Sequence, residues 1–320
     1  MSKGSEEFLP LSDAIARAVA GPQGRHAALL EDAFKVLIET PGGGVSLNGD
    51  AKGRLGARRA VEAIAARIEI GAEVEESDVR AAIVAARAGE ASPAAKGALP
   101  LGRRGVVAPK TAAQARYLDL LASHELVFGL GPAGTGKTFL AVAYGASLLL
   151  RGEVDRLIVT RPAVEAGERL GFLPGDLSEK VDPYLAPIWE ALLDLVGAET
   201  LRRRRERGEI EVAPIAFMRG RTLSHAFVIV DEAQNTSRLQ MKMVLTRLGE
   251  GARMAVTGDP SQVDLLNPRD SGLSHAVGIL EGVKGVGVAR FEASDVVRHP
   301  MVERIVKAYD ADAAKNRSDK

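Results

Sequence analysis

The apolar positions in residues 110–320 fall into short unbroken runs, separated by stretches with helical spacing. Unbroken runs of four to six apolar residues are typical of strands covered on both faces, as in a parallel sheet. Strands that alternate with helices predict an α/β fold in which helices flank that sheet. The predicted strands are Leu126–Leu130, Arg156–Thr160, Phe227–Val230, Met254–Thr257 and Val283–Phe291.

Residues 1–90 show a different pattern, with shorter elements and glycine-rich turns. We expect residues 1–10 to be a frayed end. A hairpin turn at Pro41–Gly44 joins two extended pieces, and helical spacing precedes and follows them. The predicted elements are helices over Arg25–Lys35, Leu55–Ile68 and Glu76–Arg87 and strands over Val36–Thr40 and Val45–Asn48. The sequence therefore predicts a small N-terminal α+β domain.

A G-x-x-G turn, Gly21–Gly24, leads into the first of these helices. Together with the short sheet it resembles a minimal KH-type module, in which such a loop clamps the backbone of RNA. The alternative is that the two glycines only begin a helix in a docking or oligomerisation domain. Residues 91–109 are rich in alanine, serine, proline and glycine, and we interpret them as a linker that leads into the large domain over 110–320.

Composition excludes several classes of function. Lysine plus arginine and aspartate plus glutamate both number 42, so no bulk charge indicates a nucleic-acid or membrane partner. The chain has no cysteine, which excludes disulfides, thiolate chemistry and cysteine-based zinc sites. No apolar segment approaches membrane-spanning length, and the first residues lack the apolar core of a signal peptide. We expect a cytoplasmic protein with no membrane contact.

The strand Leu126–Leu130 runs into a motif of the form G-x-x-x-x-G-K-[ST], which a helix-like segment follows. This context predicts a phosphate-binding loop, because glycines let backbone N–H groups surround phosphate oxygens at a helix N-terminus. Lys137 is expected to reach the β- and γ-phosphates, and the Thr138 hydroxyl is expected to bind Mg²⁺. The predicted nucleotide-binding residues are Gly131, Pro132, Ala133, Gly134, Thr135, Gly136, Lys137 and Thr138.

Two carboxylates end the apolar strand Phe227–Val230. A buried parallel strand delivers its last residues to the sheet edge where the phosphate loop also lies. We therefore expect Asp231 to hold Mg²⁺ and Glu232 to polarise the attacking water. After the next strand, Gln262 is suited to sensing the γ-phosphate, because its amide is neutral and can donate. Asp259 is expected to cap that turn or to orient Gln262.

Several arginines have two interpretations. Arg161 and Arg169 lie on or beside a glycine- and proline-rich loop, Gly167–Asp176, and could pair with phosphate or cap the structure. The run Arg202–Arg205 is the strongest local basic feature; it is either a solvated helix face or a contact for nucleic acid or a neighbouring subunit.

Five motifs in order resemble the PhoH-like ATPase family, over about residues 108–310. They are Gly131–Thr138, Thr160–Val164 with Gly171–Asp176, Asp231–Asn235, Gly258–Gln262 and Asp295–Pro300. The resemblance implies a single RecA-like P-loop domain, hydrolysis of ATP with Mg²⁺ and a link to RNA metabolism. In related superfamily-1 helicases a glutamine placed like Gln114 contacts adenine, since an amide can both donate and accept.

The bacterial branch of that family typified by YbeZ implies more. It implies ribosomal RNA maturation with a YbeY-like endoribonuclease as a candidate partner, and assembly into rings, with the hexamer one candidate. Too few residues follow Gln262 for a second RecA-like domain to supply an arginine for the transition state. We expect a neighbouring subunit to supply it, with Arg298 as the first candidate and Arg161 as the second; the alternative for Arg298 is a structural pair with Asp295 or Asp231.

Two functions of different class follow. The first is an oligomeric ATPase that remodels or unwinds RNA. The second is a nucleotide-gated adaptor that binds RNA or protein and hydrolyses ATP slowly as a timer. A small-molecule kinase is disfavoured, because Glu232 beside Asp231 suits the activation of water.

Overall fold

The computed structural model of the chain describes residues 5–90, 97–102, 105–162, 177–296, 301 and 305. These residues form two compact units. The first holds residues 5–65, 74–90, 296, 301 and 305, and the second holds residues 66–73 and the described residues from 97 to 295. Within the described part of the chain, no helix is long and apolar enough to cross a bilayer.

The first unit is the predicted small α+β domain. Its three strands form an antiparallel sheet in the order β1-β3-β2. Helices pack on it through side chains that are almost fully buried, among them Val19, Leu30, Leu47 and Ile64. In chain order the elements are β1 Ser5–Pro10, α1 Asp13–Ala20, α2 Arg25–Phe34, β2 Leu37–Glu39, β3 Gly44–Gly49, α3 Ala51–Glu69 and α4 Glu76–Ala88.

The prediction of a frayed end over residues 1–10 is wrong for residues 5–10. They form β1, which pairs with β3 from Ser5 opposite Gly49 to Pro10 opposite Gly44. Leu9 is buried, and the Ser46 hydroxyl donates to Glu6 across the pair at 2.6 Å. This pairing joins residues about forty positions apart, and such long-range pairing leaves no periodic signal in a six-residue segment.

The second unit contains the predicted parallel sheet flanked by helices. Six strands lie in the order β11-β6-β10-β9-β7-β8, and every neighbouring pair is parallel. The fold class is therefore confirmed: the chain has a RecA-like α/β core and a small α+β domain. The elements are β4 Leu99–Pro100, β5 Val106–Val107, α5 Ala112–Ser123, β6 Leu126–Leu130, α6 Lys137–Arg151, β7 Arg156–Arg161, α7 Leu177–Val196, α8 Ala198–Glu206, β8 Ile210–Pro214, β9 Ala226–Val230, α9 Arg238–Leu245, β10 Arg253–Gly258, α10 Gly272–Leu280 and β11 Val286–Arg290.

The segment predicted as a linker differs in its described part. Strands β4 and β5 pair antiparallel, and Leu99 and Leu101 are buried in the core with α5 and α6. The Ser147 hydroxyl on α6 donates to the carbonyl of Pro100 at 3.1 Å. Gly102 and Gly105 lie at the turn of this hairpin, and Leu99 and Leu101 supply apolar surface that holds it on the core.

Strand order decides which side chains can meet. Strand β10 lies between β6, which leads into the phosphate loop, and β9, which leads into the acid pair. Gly258 at the end of β10 is in register with Leu130, and Val256 is in register with Val230. The carboxyl ends of β6, β10, β9 and β7 therefore form one edge, where open α/β sheets bind their ligands.

Candidate active site

The phosphate loop connects β6 to the N-terminus of α6, which begins at Lys137. Three of its glycines have φ in the left-handed region: Gly131 at 140°, Gly134 at 83° and Gly136 at 83°. A side chain at Gly131 would also collide with the carbonyl oxygen of Phe291. The loop thus needs glycine for backbone conformation and for close packing, and it places α6 N–H groups where phosphate binds.

Lys137 is buried and lies against the loop itself. Its ammonium donates to the carbonyl oxygens of Gly131 at 2.6 Å and Pro132 at 2.8 Å. Burial lowers the pKa of Lys137 below its usual range, while the nearby carboxylates of Asp259, Asp231 and Glu232 act in the opposite direction. The two hydrogen bonds hold the Lys137 ammonium beside the bend of the phosphate loop.

Asp231 is the point where the loop and the acid pair meet. The Thr138 hydroxyl donates to Asp231 Oδ1 at 2.6 Å, and the Thr257 hydroxyl from β10 donates to the same oxygen at 2.8 Å. Asp231 is only 5% exposed. Thr138 and Asp231, the two predicted metal-binding residues, are thus in direct contact although they lie 93 positions apart.

Glu232 has each carboxylate oxygen engaged. Its Oε1 pairs with Arg161 Nη2 at 3.1 Å, and its Oε2 accepts from Gln234 Nε2 at 2.6 Å. Its backbone is left-handed, with φ of 49°, a conformation that costs a non-glycine residue on the order of 1 kcal/mol. Arg161 also approaches Asp231, with 3.9 Å between Nε and Oδ2.

The turn after β10 is organised by Asp259. Its Oδ1 accepts from the backbone N–H of Ser261 at 2.9 Å and from the Ser261 hydroxyl at 2.6 Å, so this carboxylate caps the turn. The Gln262 N–H donates to the Asp259 carbonyl at 3.0 Å. The side chain of Gln262, the predicted γ-phosphate sensor, is exposed at this edge of the sheet.

Gln114 lies behind the phosphate loop and is buried. Its Nε2 donates to the carbonyl of Thr135 at 2.9 Å, and its Oε1 accepts from the backbone N–H of Lys110 at 2.7 Å. Buried Arg67 in turn donates to the carbonyl of Pro109 at 2.7 Å. The structure thus gives Gln114 a role in positioning the loop, and adenine contact by Gln114 stays a prediction.

Of the candidate arginines, Arg161 and those of the run Arg202–Arg205 lie among the residues that the structure describes. Arg161 lies inside the site of its own chain, paired with the acids. In α8, Arg202 pairs with Glu199 and Glu206, Arg204 pairs with Glu209, and Arg205 stacks on Trp189 with 4.6 Å to the ring centroid. Acids thus pair with two of the four arginines of the run, Arg202 and Arg204, whereas Arg203 and Arg205 are exposed. The predictions for Arg169, Arg298 and the loop Gly167–Asp176 fall outside the described residues.

Two residues of the site escaped sequence reasoning. Thr257 is the last residue but one of β10, and a threonine in a strand carries no specific signal by itself. Gln234 lies inside the predicted motif Asp231–Asn235, yet one of its contacts is to the backbone of Asp259, which follows β10. Only the neighbouring placement of β9 and β10 shows what either side chain touches.

The strand order, the loop and the acid pair define this chain as a P-loop NTPase with a RecA-like core. The family described as PhoH-like protein matches residues 106–310. A PhoH-like protein of Bacillus subtilis is 46% identical over 299 residues, which are 92% of this chain and 94% of that protein. The chain therefore belongs to the PhoH-like protein family.

Two further relatives, both PhoH-like proteins, support the same family assignment. A PhoH-like protein of Mycobacterium tuberculosis is 47% identical over 283 residues, 88% of this chain and 80% of that protein. One from Synechocystis is 57% identical over 209 residues, 65% of this chain and 64% of that protein. The alignment with the Bacillus protein spans 92% of this chain and therefore includes most of the small N-terminal unit.

Proposed function

We propose that this protein is a Mg²⁺-dependent ATP hydrolase. The observation that carries the proposal is the hydrogen bond of 2.6 Å between Thr138 Oγ1 and Asp231 Oδ1, with Glu232 next in the chain. It joins the residues that bind phosphate to the residues that can act on water. P-loop hydrolases need both groups at one sheet edge.

The donor set fits magnesium. Mg²⁺ prefers oxygen ligands and is commonly bound by one or two carboxylates together with water and substrate phosphates. Thr138 and Asp231 would hold the ion, and Thr257 would orient the Asp231 carboxylate from behind. When bound, Mg²⁺ would neutralise charge on the triphosphate.

The remaining roles belong to side chains of this chain. Lys137 would exchange its carbonyl partners for phosphate oxygens, which suits an ammonium already held at the bend of the loop. Glu232 would orient the attacking water and accept its proton, and Gln262, exposed at the same edge, would contact the γ-phosphate or that water. Arg161 balances the charge of Glu232 and Asp231.

Two variants test this assignment. Lys137→Ala should weaken nucleotide binding, because a charge-assisted contact to phosphate is lost. Glu232→Gln should keep nucleotide affinity within a few-fold and lower turnover by about 100-fold or more, in the range of a lost general base. Equilibrium binding of a labelled nucleotide and steady-state phosphate release measure the two quantities separately. Near wild-type turnover in Glu232→Gln would overturn the base assignment.

We propose that the hydrolase acts on RNA in the cytoplasm, in ribosomal RNA maturation, as a ring with a YbeY-like endoribonuclease as partner. What supports an RNA role is the first unit. Its order, β1, α1, Gly21–Gly24, α2, β2, β3 and α3, with an antiparallel sheet, resembles a KH-type module. Pro22 and Gln23 are exposed in that loop, and a side chain at Gly21 would collide with the buried ring of His26.

The RNA role is tested by changing the loop alone. Pro22→Asp with Gln23→Asp should weaken binding of single-stranded RNA by about 10-fold or more, because two carboxylates would face the RNA backbone. Val84→Asp with Ala88→Asp, at exposed positions of α4 in the same unit, is the charge-matched control and should bind normally. Fluorescence anisotropy with a labelled RNA measures both. Equal affinities would remove the loop from RNA binding, and hydrolysis insensitive to RNA would favour the adaptor function.

A further inference from the structure

Gln234 is almost fully buried, at 1% exposure, yet both ends of its amide are engaged. Its Nε2 donates to Glu232 Oε2 at 2.6 Å. Its Oε1 accepts from the backbone N–H of Asp259 at 3.1 Å. One side chain therefore joins the predicted base to the turn that carries Gln262.

The surroundings of Gln234 allow little freedom. A side chain at Gly258 would place its Cβ 2.6 Å from Gln234 Oε1, so the amide fits only beside glycine. The Ser271 hydroxyl donates to the backbone carbonyl of Gln234 at 2.9 Å. Glutamine also has the necessary chemistry, since glutamate has no donor for Glu232 and asparagine is one carbon shorter.

Glu232 depends on being held. Its left-handed backbone is unfavourable for a residue with a side chain, and such a conformation persists when the surrounding contacts determine it. Gln234 fixes one carboxylate oxygen, and Arg161 fixes the other. Gln234 differs from Arg161 because it also contacts Asp259, in the turn that follows β10.

We propose that Gln234 is a positioning residue that sets the Glu232 carboxylate relative to the turn over 259–262. Contact between Gln262 and the γ-phosphate would move this turn. The hydrogen bond from the Asp259 N–H would then move the Gln234 amide, and with it the carboxylate of Glu232. The inference rests on the proposed role of Glu232 in hydrolysis. A misplacement of about 1 Å at a reacting group lowers a rate by roughly 100-fold, so the link affects turnover more than binding.

Asn235 provides a natural control. It is also buried, and it ties the same two segments together: its Nδ2 donates to Asp264 Oδ2 at 3.1 Å, and its Oδ1 accepts from the Asp264 N–H at 2.8 Å. In the described part of the chain, the Asn235 side chain makes its hydrogen bonds to Asp264 and none to the carboxylate of Glu232. Loss of the Asn235 side chain therefore weakens the link between the segment that follows β9 and the segment that follows β10. It leaves the hydrogen bond between Gln234 and Glu232 in place.

The test compares Gln234→Met with Asn235→Leu in the full chain. Methionine has a similar volume to glutamine and removes both hydrogen bonds. For Gln234→Met we expect kcat to fall by about 10- to 100-fold, with KM for ATP and nucleotide affinity within about 3-fold of wild type. For Asn235→Leu we expect a similar loss of melting temperature and a much smaller loss of kcat. Equal losses of kcat in the two variants would show a merely structural role and overturn the proposal.

A double variant separates this inference from the proposed function. If Gln234 acts through Glu232, adding Gln234→Met to Glu232→Gln should lower single-turnover hydrolysis by less than about 3-fold, because groups that act as a unit are not additive. A full additional loss would contradict the inference. Near wild-type turnover in Glu232→Gln would instead overturn the base, whereas an inactive Glu232→Gln with a fully active Gln234→Met would overturn only the role of Gln234.

Discussion

At the scale of single residues, the site depends on hydroxyl groups that support a carboxylate. Asp231 accepts from Thr138 on the phosphate loop and from Thr257 on β10, so its Oδ1 is fixed from two directions. An oriented carboxylate binds a metal ion better than a free one, because less order must be created on binding. Thr257, although fully buried, would therefore support the proposed Mg²⁺ site through Asp231.

Thr257→Val should raise the Mg²⁺ concentration that gives half-maximal hydrolysis by about 10-fold, the usual scale for a supporting group of a metal ligand. Valine keeps the shape of threonine and removes only the hydroxyl. Thr160→Val is the matched control: Thr160 is also fully buried at a strand end, and its Oγ1 has no hydrogen-bond partner among the described residues. A magnesium titration of phosphate release checks both variants. Equal requirements in the two would contradict the role of Thr257.

At the scale of elements, unbroken apolar runs were sufficient to predict β6, β7, β9 and β10 to within a residue or two. These strands are buried on both faces, so hydrophobicity alone marks them. The edge strand β8 was not predicted from the sequence. Only two of its five residues are buried, so it lacks the unbroken apolar run that marks the central strands. Helix α10 was also not predicted, since glycine and serine interrupt the helical spacing of its apolar residues.

Helix α6 packs closely on the sheet at one glycine. A Cβ at Gly145 would lie 2.6 Å from both Leu157 on β7 and Phe227 on β9. Gly145→Ala should therefore destabilise the protein by about 1–3 kcal/mol, the usual cost of overpacking a core. Gly278 on α10 has open space around its Cβ position, and Gly278→Ala should stabilise by about 0.5–1 kcal/mol through helix propensity. Thermal unfolding should shift in opposite directions, and a stabilising Gly145→Ala would refute the close packing.

At the scale of the whole molecule, the question is what completes the site. Among the described residues, Arg161 forms ion pairs with both acids of the same chain. To reach a neighbouring site, Arg161 would have to give up these contacts with the two acids of its own chain. Arg298 is therefore the stronger candidate for an arginine supplied by a neighbouring subunit, and its role stays a prediction.

Mixing inactive variants tests whether Arg298 acts between subunits. Lys137→Ala lacks a functional loop but keeps Arg298, whereas Arg298→Ala keeps the loop and lacks the arginine. If the arginine acts across an interface in a ring, an equimolar mixture should regain about a quarter of wild-type hydrolysis, since half of the sites keep Lys137 and half of their neighbours keep Arg298. Mixing Lys137→Ala with the Lys137→Ala, Arg298→Ala double variant should regain none. Mass measurements must show mixed assemblies; if they form and hydrolysis stays absent, the arginine acts within its own chain. Full activity of Arg298→Ala by itself would show that Arg298 has no part in hydrolysis.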